Sequence, residues 1–411
     1  MKRVVVTGMS SITALGDTWD ALLARVKAGE TAIKRMAEWD QYKDLHTKLA
    51  APIAHFELPD HYTRKHTRSM GRVAQLAVRT TELAIADAKL QSSPDLKNGA
   101  CGVSYGSSVG AVDDIGRFGR AVTDHAVGGG IDANSFLRMM PHTTAVNIGV
   151  HFGLKGRVIP TSSACTSGSQ GVGYAYEAIK WGKQKLMIAG GAEELCVSDA
   201  MVFDTLYAAS ARNHTPNLTP RPFDATRDGL VVGEGAGTLV LEELESAQKR
   251  GARIYAELVG FGTNSDGTHV TRPQTETMEV AMRLALQDAG LEPSAVGYVN
   301  AHGTATDQGD VAETQATFRV FGNQMPISTI KGHLGHTLGA AGSIEAWLTI
   351  EMMCRNTYLP TANLTQVDPR CGDLDYLRGG VREMSCEHVM SNNFAFGGIN
   401  TSLIFKRWHG K

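Results

Sequence analysis

Apolar residues along this chain keep two rhythms. Short β-like runs such as "KRVVVTG" at the start and "RVIP" (157–160) give way to helix-period stretches such as "VGYAYEAIKWG" (172–182). Strand-like runs alternating with helical ones predict an α/β fold. The pattern also echoes itself. "VAQLAVRTTELAIADAKL" (73–90) is similar to "VAMRLALQDAGL" (280–291), and each precedes a strand-like run, "GVSYGSS" (102–108) and "VGYVNAHGTA" (296–305). "VIPTSSACTSGSQGVGYAYEAI" pairs in the same way with "PISTIKGHLGHTLGAAGSIEAWL", each reading as strand, small-residue elbow and helix. The expected seam lies near "KRGARIY" (249–255), dividing the chain into related halves, 1–250 and 251–411; chance recurrence of alanine-rich helices is the alternative.

Composition narrows the classes. The 411 residues suffice for a large core or two domain-sized units, and 42% hydrophobic with 20% charged residues is ordinary for a globular protein. A formal charge of −2 gives no electrostatic case for nucleic acid. The six cysteines are scattered and none forms a C-x-x-C pair, so neither a zinc site nor a disulfide framework is expected. The N-terminus shows no signal-peptide layout, and no apolar run reaches about 18 residues. A reducing, cytoplasmic setting is the expectation.

Four stretches carry chemistry. "TSSACTSGSQG" (161–171) places Cys165 at the elbow between a strand and a helix, where unpaired N–H groups favour a thiolate. A nucleophile is one reading of it and a buried structural thiol the other. "NAHGTATDQGD" (300–310) ends a strand-like run on His302, with Thr304 and Thr306 free to hold a polar ligand. "STIKGHLGHTLGAAG" (328–342) carries Lys331, His333 and His336; no carboxylate or cysteine at ligand spacing joins the histidines, so no metal is expected. "SNNFAFGGIN" (391–400) is either a turn capped by core phenylalanines or a gate hinged on glycines. The opening "VVVTGMSSITALG" lacks G-x-G-x-x-G spacing, which sets a dinucleotide site aside.

In this order "ACTSG", "NAHGT", "KGHLGH…GAAG" and "FAFGGIN" resemble the elongating, synthase II-like β-ketoacyl-[acyl-carrier-protein] synthases, from "KRVVVTG" to "NTSLIFK". The resemblance implies a thiolase fold, duplicated halves in five α-β-α-β-α layers, assembled as a homodimer or as a heterodimer with a related subunit. It implies decarboxylative condensation of acyl- and malonyl-carrier protein through an acyl-Cys165 intermediate. The N–H groups of Cys165 and Phe396 would form the oxyanion hole, and His302 and His336 would stabilise the enolate. Lys331 would support the histidines with Glu313 or a neighbouring acid, and Glu345 matches a structural acid of that network. Thr304 and Thr306 would hold the phosphopantetheine arm, and Phe394, Phe396, Gly397 and Gly398 the gate. No cofactor is implied beyond the carrier's own 4'-phosphopantetheine.

Several positions depart from the family pattern. Ala395 and Ile399 stand in the gate where glycine and threonine are common, which suggests a stiffer gate. Asp307-Gln308 replaces a common proline, and Met139 and Met140 stand where aromatics often flank the acyl pocket. Arg64, Lys65, Arg68 and Arg72 concentrate positive charge suited to an acidic carrier protein, while a second basic pair is missing around "GGGIDANS" (128–135). Two rivals stay open: a specialised synthase of a polyene, pigment or polyketide pathway, and a non-catalytic chain-length-factor-like subunit, against which the retained Cys165, His302 and His336 speak.

Overall fold

The computed structural model describes residues 1–126 and 130–410, so Gly128 and Gly129 of the stretch without a basic pair lie outside the described residues. Among the described residues eleven strands form one continuous mixed sheet: β1 (Val4–Thr13), β2 (Cys101–Gly106), β3 (Val158–Thr161), β4 (Leu186–Glu193), β5 (Gly235–Glu243), β6 (Ala256–Ser265), β7 (Val296–Asn300), β8 (Pro326–Ser328), β9 (Asp375–Tyr376), β10 (His388–Ala395) and β11 (Ile399–Arg407). Their order is β9-β8-β7-β10-β11-β6-β1-β5-β4-β2-β3. Counted in chain order within each half, both sets of five run 1-5-4-2-3, with β9 as an extra edge. The repeat in the sequence is therefore a repeat in topology. The two sets meet where β1 pairs antiparallel with β6, Val4 opposite Leu258 and Val6 opposite Ala256.

Five helices place the layers. Helix α1 (Arg72–Asp87) buries Val73, Leu76, Ala77, Thr80, Ala84 and Ile85 against β1, β4 and β5. Helix α3 (Thr275–Ala289) covers β6 and β11, with α4 (Asp307–Phe321) beside it. Helices α1 and α3 hold most of the two echoing alanine-rich stretches, 73–90 and 280–291. Between the sheet halves lie α2 (Ser167–Lys180) and α5 (Ala341–Arg355), which touch strands of both. That gives five α-β-α-β-α layers, the thiolase fold.

A helix in the middle layer has neighbours on every side, which explains its small residues. A Cβ added to Gly168 would lie 2.8 Å from Ser343 N, and one on Gly342 2.5 Å from Ser169 N. Overpacking of this kind typically costs about 1–3 kcal/mol, so the close approach of α2 to α5 demands glycine. Polar ties span the halves as well: Tyr176 on α2 donates to Asp288 Oδ2 on α3 at 2.9 Å, and Lys180 pairs with the same carboxylate. Among the described residues no helix is long and apolar enough to cross a membrane.

Candidate active site

The hydroxyl-rich run around Cys165 builds its own elbow. Ser163 N–H donates to Ser167 Oγ at 2.9 Å, Ser167 Oγ donates to Ala164 O at 2.7 Å, and Thr166 Oγ1 donates to Ser163 O at 2.8 Å. These bonds hold Ala164 at φ +49°, a left-handed conformation costing roughly 1–2 kcal/mol for a residue with a Cβ. The kink sets Cys165 just ahead of α2, 5% exposed, at the floor of a cavity of about 390 Å³.

Two imidazoles from the other half converge on the sulfur. His302 follows the end of β7, where Glu313 on α4 accepts from His302 N–H at 2.6 Å and Gly303 N–H at 2.7 Å. His336 is held by its backbone, its N–H donating to Val231 O at 2.7 Å. Its Nε2 lies 3.0 Å from Cys165 Sγ, and the two rings stand edge to face with centroids 5.0 Å apart.

The partners of the far nitrogens fix the tautomers. Leu338 N–H donates to His336 Nδ1 at 3.3 Å, and Asn393 Nδ2 donates to His302 Nδ1 at 3.4 Å and to Glu345 Oε2 at 2.7 Å. With Nδ1 acting as acceptor, each ring carries its hydrogen on Nε2, facing the cavity. Burial, reinforced by the charge of Lys331, holds both rings well below the ordinary histidine range, so both are neutral donors. The ligand atoms of Cys165, His302 and His336 lie within 4.8 Å of one another, a spacing a tetrahedral metal could use. A metal needs a bare Nε2 and a far nitrogen that donates; here both far nitrogens accept, so the donor set does not fit a metal. His333 turns away, its Nε2 3.1 Å from Pro360 O.

Several expectations change on inspection. Burial pushes the Cys165 thiol up to about 12, against the pull of Lys331 and of the Phe396 and Cys165 backbone; desolvation overrides the helix terminus, and the resting group is a thiol. Lys331 pairs with Glu345, not Glu313, which instead clamps the His302 loop. Phe394 lies inside β10, 7% exposed, with its ring edge-on to His302, so the turn proper is Phe396, Gly397 and Gly398. Ala395 pairs with Ile399 across the β10–β11 hairpin and has no positive φ, so alanine introduces no backbone strain there. Arg72 is not a free docking cation: it pairs with Glu234, whose side chain is 3% exposed. Arg64, Lys65 and Arg68 are exposed, the first two on the short helix Arg64–Thr67.

The remaining residues sit around the cavity. Thr304 and Thr306 line it and hydrogen-bond each other at 2.9 Å. Asp307 and Gln308 start α4 at the cavity mouth, and Arg370 grips Asp307 at 2.5 Å where the family proline would be. Met139 and Met140 are not among the residues lining it. Sequence reasoning missed Asn393 and Phe203. Asn393 stands in the quoted "SNNFAFGGIN", read there for its aromatics alone; Phe203 packs on Phe396 at 5.2 Å and nothing in its neighbourhood marks it.

The family model for the beta-ketoacyl synthase N-terminal domain matches residues 1–247, and that for the C-terminal domain matches residues 255–365. The chain belongs to the β-ketoacyl synthase family. The synthase is 37% identical over 419 aligned positions to the 3-oxoacyl-[acyl-carrier-protein] synthase 2 of Vibrio harveyi, covering 99% of each chain. Among solved structures it is similar to a beta-ketoacyl synthase from Burkholderia phymatum, at 60% identity and a TM-score of 0.98 over 100% of both chains. The ishigamide ketosynthase/chain length factor matches at 29% identity, TM-score 0.88, over 99% of both.

Proposed function

We propose that this synthase condenses acyl-carrier protein with malonyl-carrier protein to give a 3-oxoacyl-carrier protein in fatty-acid-type elongation. The observation that carries the reading is the meeting of the His336 Nε2 and the His302 ring at a kinked, buried thiol. In the first step the Cys165 sulfur attacks the acyl thioester. The new thioester forms on Cys165, and the proton lost by the thiol ends on the departing pantetheine sulfur. The Cys165 and Phe396 N–H groups bear on the sulfur and suit the oxyanion of that step.

Malonyl-carrier protein then places its thioester carbonyl before His302 and His336. Loss of CO2 leaves an enolate whose oxygen the two neutral Nε2–H groups stabilise, and whose carbon attacks acyl-Cys165. Neutral donors suit a charge that appears only during reaction, and Thr304 and Thr306 lie where the pantetheine arm would pass. Cys165 leaves as thiolate and takes a proton from solvent, in keeping with its raised pKa. The chemistry asks for no cofactor of the protein's own. Arg64, Lys65 and Arg68 are suited to an acidic carrier, the assembly is a dimer of two such chains, and the setting is cytoplasmic, in keeping with six unpaired cysteines.

The test is mass spectrometry after incubation with a ladder of saturated and conjugated acyl-carrier proteins, followed by malonyl-carrier protein. A Cys165 adduct that is consumed only when malonyl-carrier protein is added supports condensation; product from Cys165→Ala would sink it. The likeness to the ishigamide protein favours a second reading, a specialised synthase with a partner subunit, which selective loading of conjugated chains would support.

A further inference from the structure

Glu193 closes β4, is fully buried, and has no part in the steps above. Its Oε2 accepts from Ser108 N–H and from Gly339 N–H, each at 2.9 Å, while Oε1 has no hydrogen-bond partner among the described residues. Burying such a group is costly, so its bonds to Ser108, backbone and side chain, and to Gly339 show what it contributes. Gly339 follows Leu338, whose N–H fixes the tautomer of His336. The turn around them is tightly confined: a Cβ on Gly191 would lie 2.3 Å from Gly339 O, and one on Gly339 would lie 2.7 Å from Glu193 Oε2. A carboxyl of the first half thus grips the turn of the second half that follows His336.

We propose that Glu193 is a positioning residue for the condensation, holding the Leu338–Gly339 turn so that His336 keeps its Nε2–H aimed at Cys165 and the incoming thioester. The inference rests on the condensing reading and deepens it. Burial raises the Glu193 carboxyl to about 8, with Asp199 adding to the effect, so near neutral pH it grips the turn as an uncharged acid. Its charge, once present, opposes the thiolate of Cys165, while Lys331 favours it.

Three variants test this: Glu193→Ala, Glu193→Gln, and as control Glu194→Gln, whose carboxyl binds Val73 N–H and Val112 N–H instead. The readouts are malonyl-carrier-protein decarboxylation and the pH profile of Cys165 alkylation by iodoacetamide. Glu193→Ala is expected to lower decarboxylation kcat ~10–100-fold, part of the roughly 100–1000-fold that losing a whole oxyanion-stabilising donor costs, with KM moving less than about threefold. Glu193→Gln keeps an acceptor oxygen and recovers most of that loss. The alkylation profile of the wild type and of Glu194→Gln carries an inflection near pH 8 that Glu193→Gln lacks. Wild-type kcat in Glu193→Ala, no recovery in Glu193→Gln, or a persisting inflection would each overturn the proposal. If Glu193→Ala does not fold, Glu193→Gln decides on both readouts: a decarboxylation kcat below about a tenth of wild type overturns the proposal whatever its alkylation profile. Alkylation needs no carrier protein, so a failed condensation assay with the expected profile would count against the activity and leave the clamp standing.

Discussion

Lys331 and Glu345 form an ion pair with each side chain only 2% exposed, beside two neutral histidines. The pair lets a positive charge sit in the site without protonating either ring. Removing one partner leaves the other charge buried and alone, which typically costs about 3–5 kcal/mol. Lys331→Met should therefore lower the urea midpoint sharply, and Lys331→Met with Glu345→Leu should regain part of it. Equal stability of single and double variants would show that the pair is not closed in solution.

Asn393 donates to His302 Nδ1 and to Glu345, so it orders His302 without touching the sulfur. Asn393→Leu is expected to reduce malonyl decarboxylation ~10–100-fold while Cys165 still takes an acyl group at close to its normal rate. Single-turnover acylation measured beside decarboxylation separates the two steps. Equal loss in both would mean the asparagine supports the fold rather than the ring.

The neutral histidines also set an acid limit. Burial depresses both folded-state values, so the unfolded chain binds protons near the ordinary value of about 6.5 while the folded one does not. Stability from these rings is thus fully present above that pH and falls as pH drops through it, by about 1.4 kcal/mol per pH unit for each ring. Denaturation at pH 7 and 5.5 should show a smaller acid loss for His302→Asn with His336→Asn than for wild type. An unchanged loss would place the acid sensitivity elsewhere.

Arg72 and its basic neighbours should behave differently. Replacing Arg64, Lys65 and Arg68 with alanine is expected to raise KM for carrier protein and flatten its salt dependence, since exposed charges act mainly on encounter. Arg72→Ala leaves the buried Glu234 with the Ile53 N–H but without its counter-charge, and should cost about 1–3 kcal/mol of stability with little change in that salt slope. Thermal unfolding and KM measured across a salt series distinguish them.

What was legible in the sequence is what local chemistry spells out. Cys165 stands among residues that can only build a tight elbow, and His302 ends an apolar run, so each is visible without knowing its neighbours. The echo of 73–90 in 280–291 recurs as α1 and α3 on equivalent strands. What stayed hidden depends on contacts across long separations. Whether Lys331 takes Glu313 or Glu345, whether Arg72 faces solvent or Glu234, and that Asn393 reaches His302 are all settled by how the halves pack. The Cys165 thiol follows the same rule: a helix terminus shows in the sequence, but the depth of burial that outweighs it does not.

The ladder between β1 and β6 has a consequence for how the activity is distributed along the chain. The sulfur is delivered by the first five strands and both imidazoles by the second five, so neither portion alone contains a nucleophile–donor pair. Two fragments produced by cleavage near residue 250 would each be inert, and turnover would report their reassociation. The 3.0 Å between Cys165 and His336 is in that sense a gauge of the junction: anything that loosens the seam is felt first as lost chemistry.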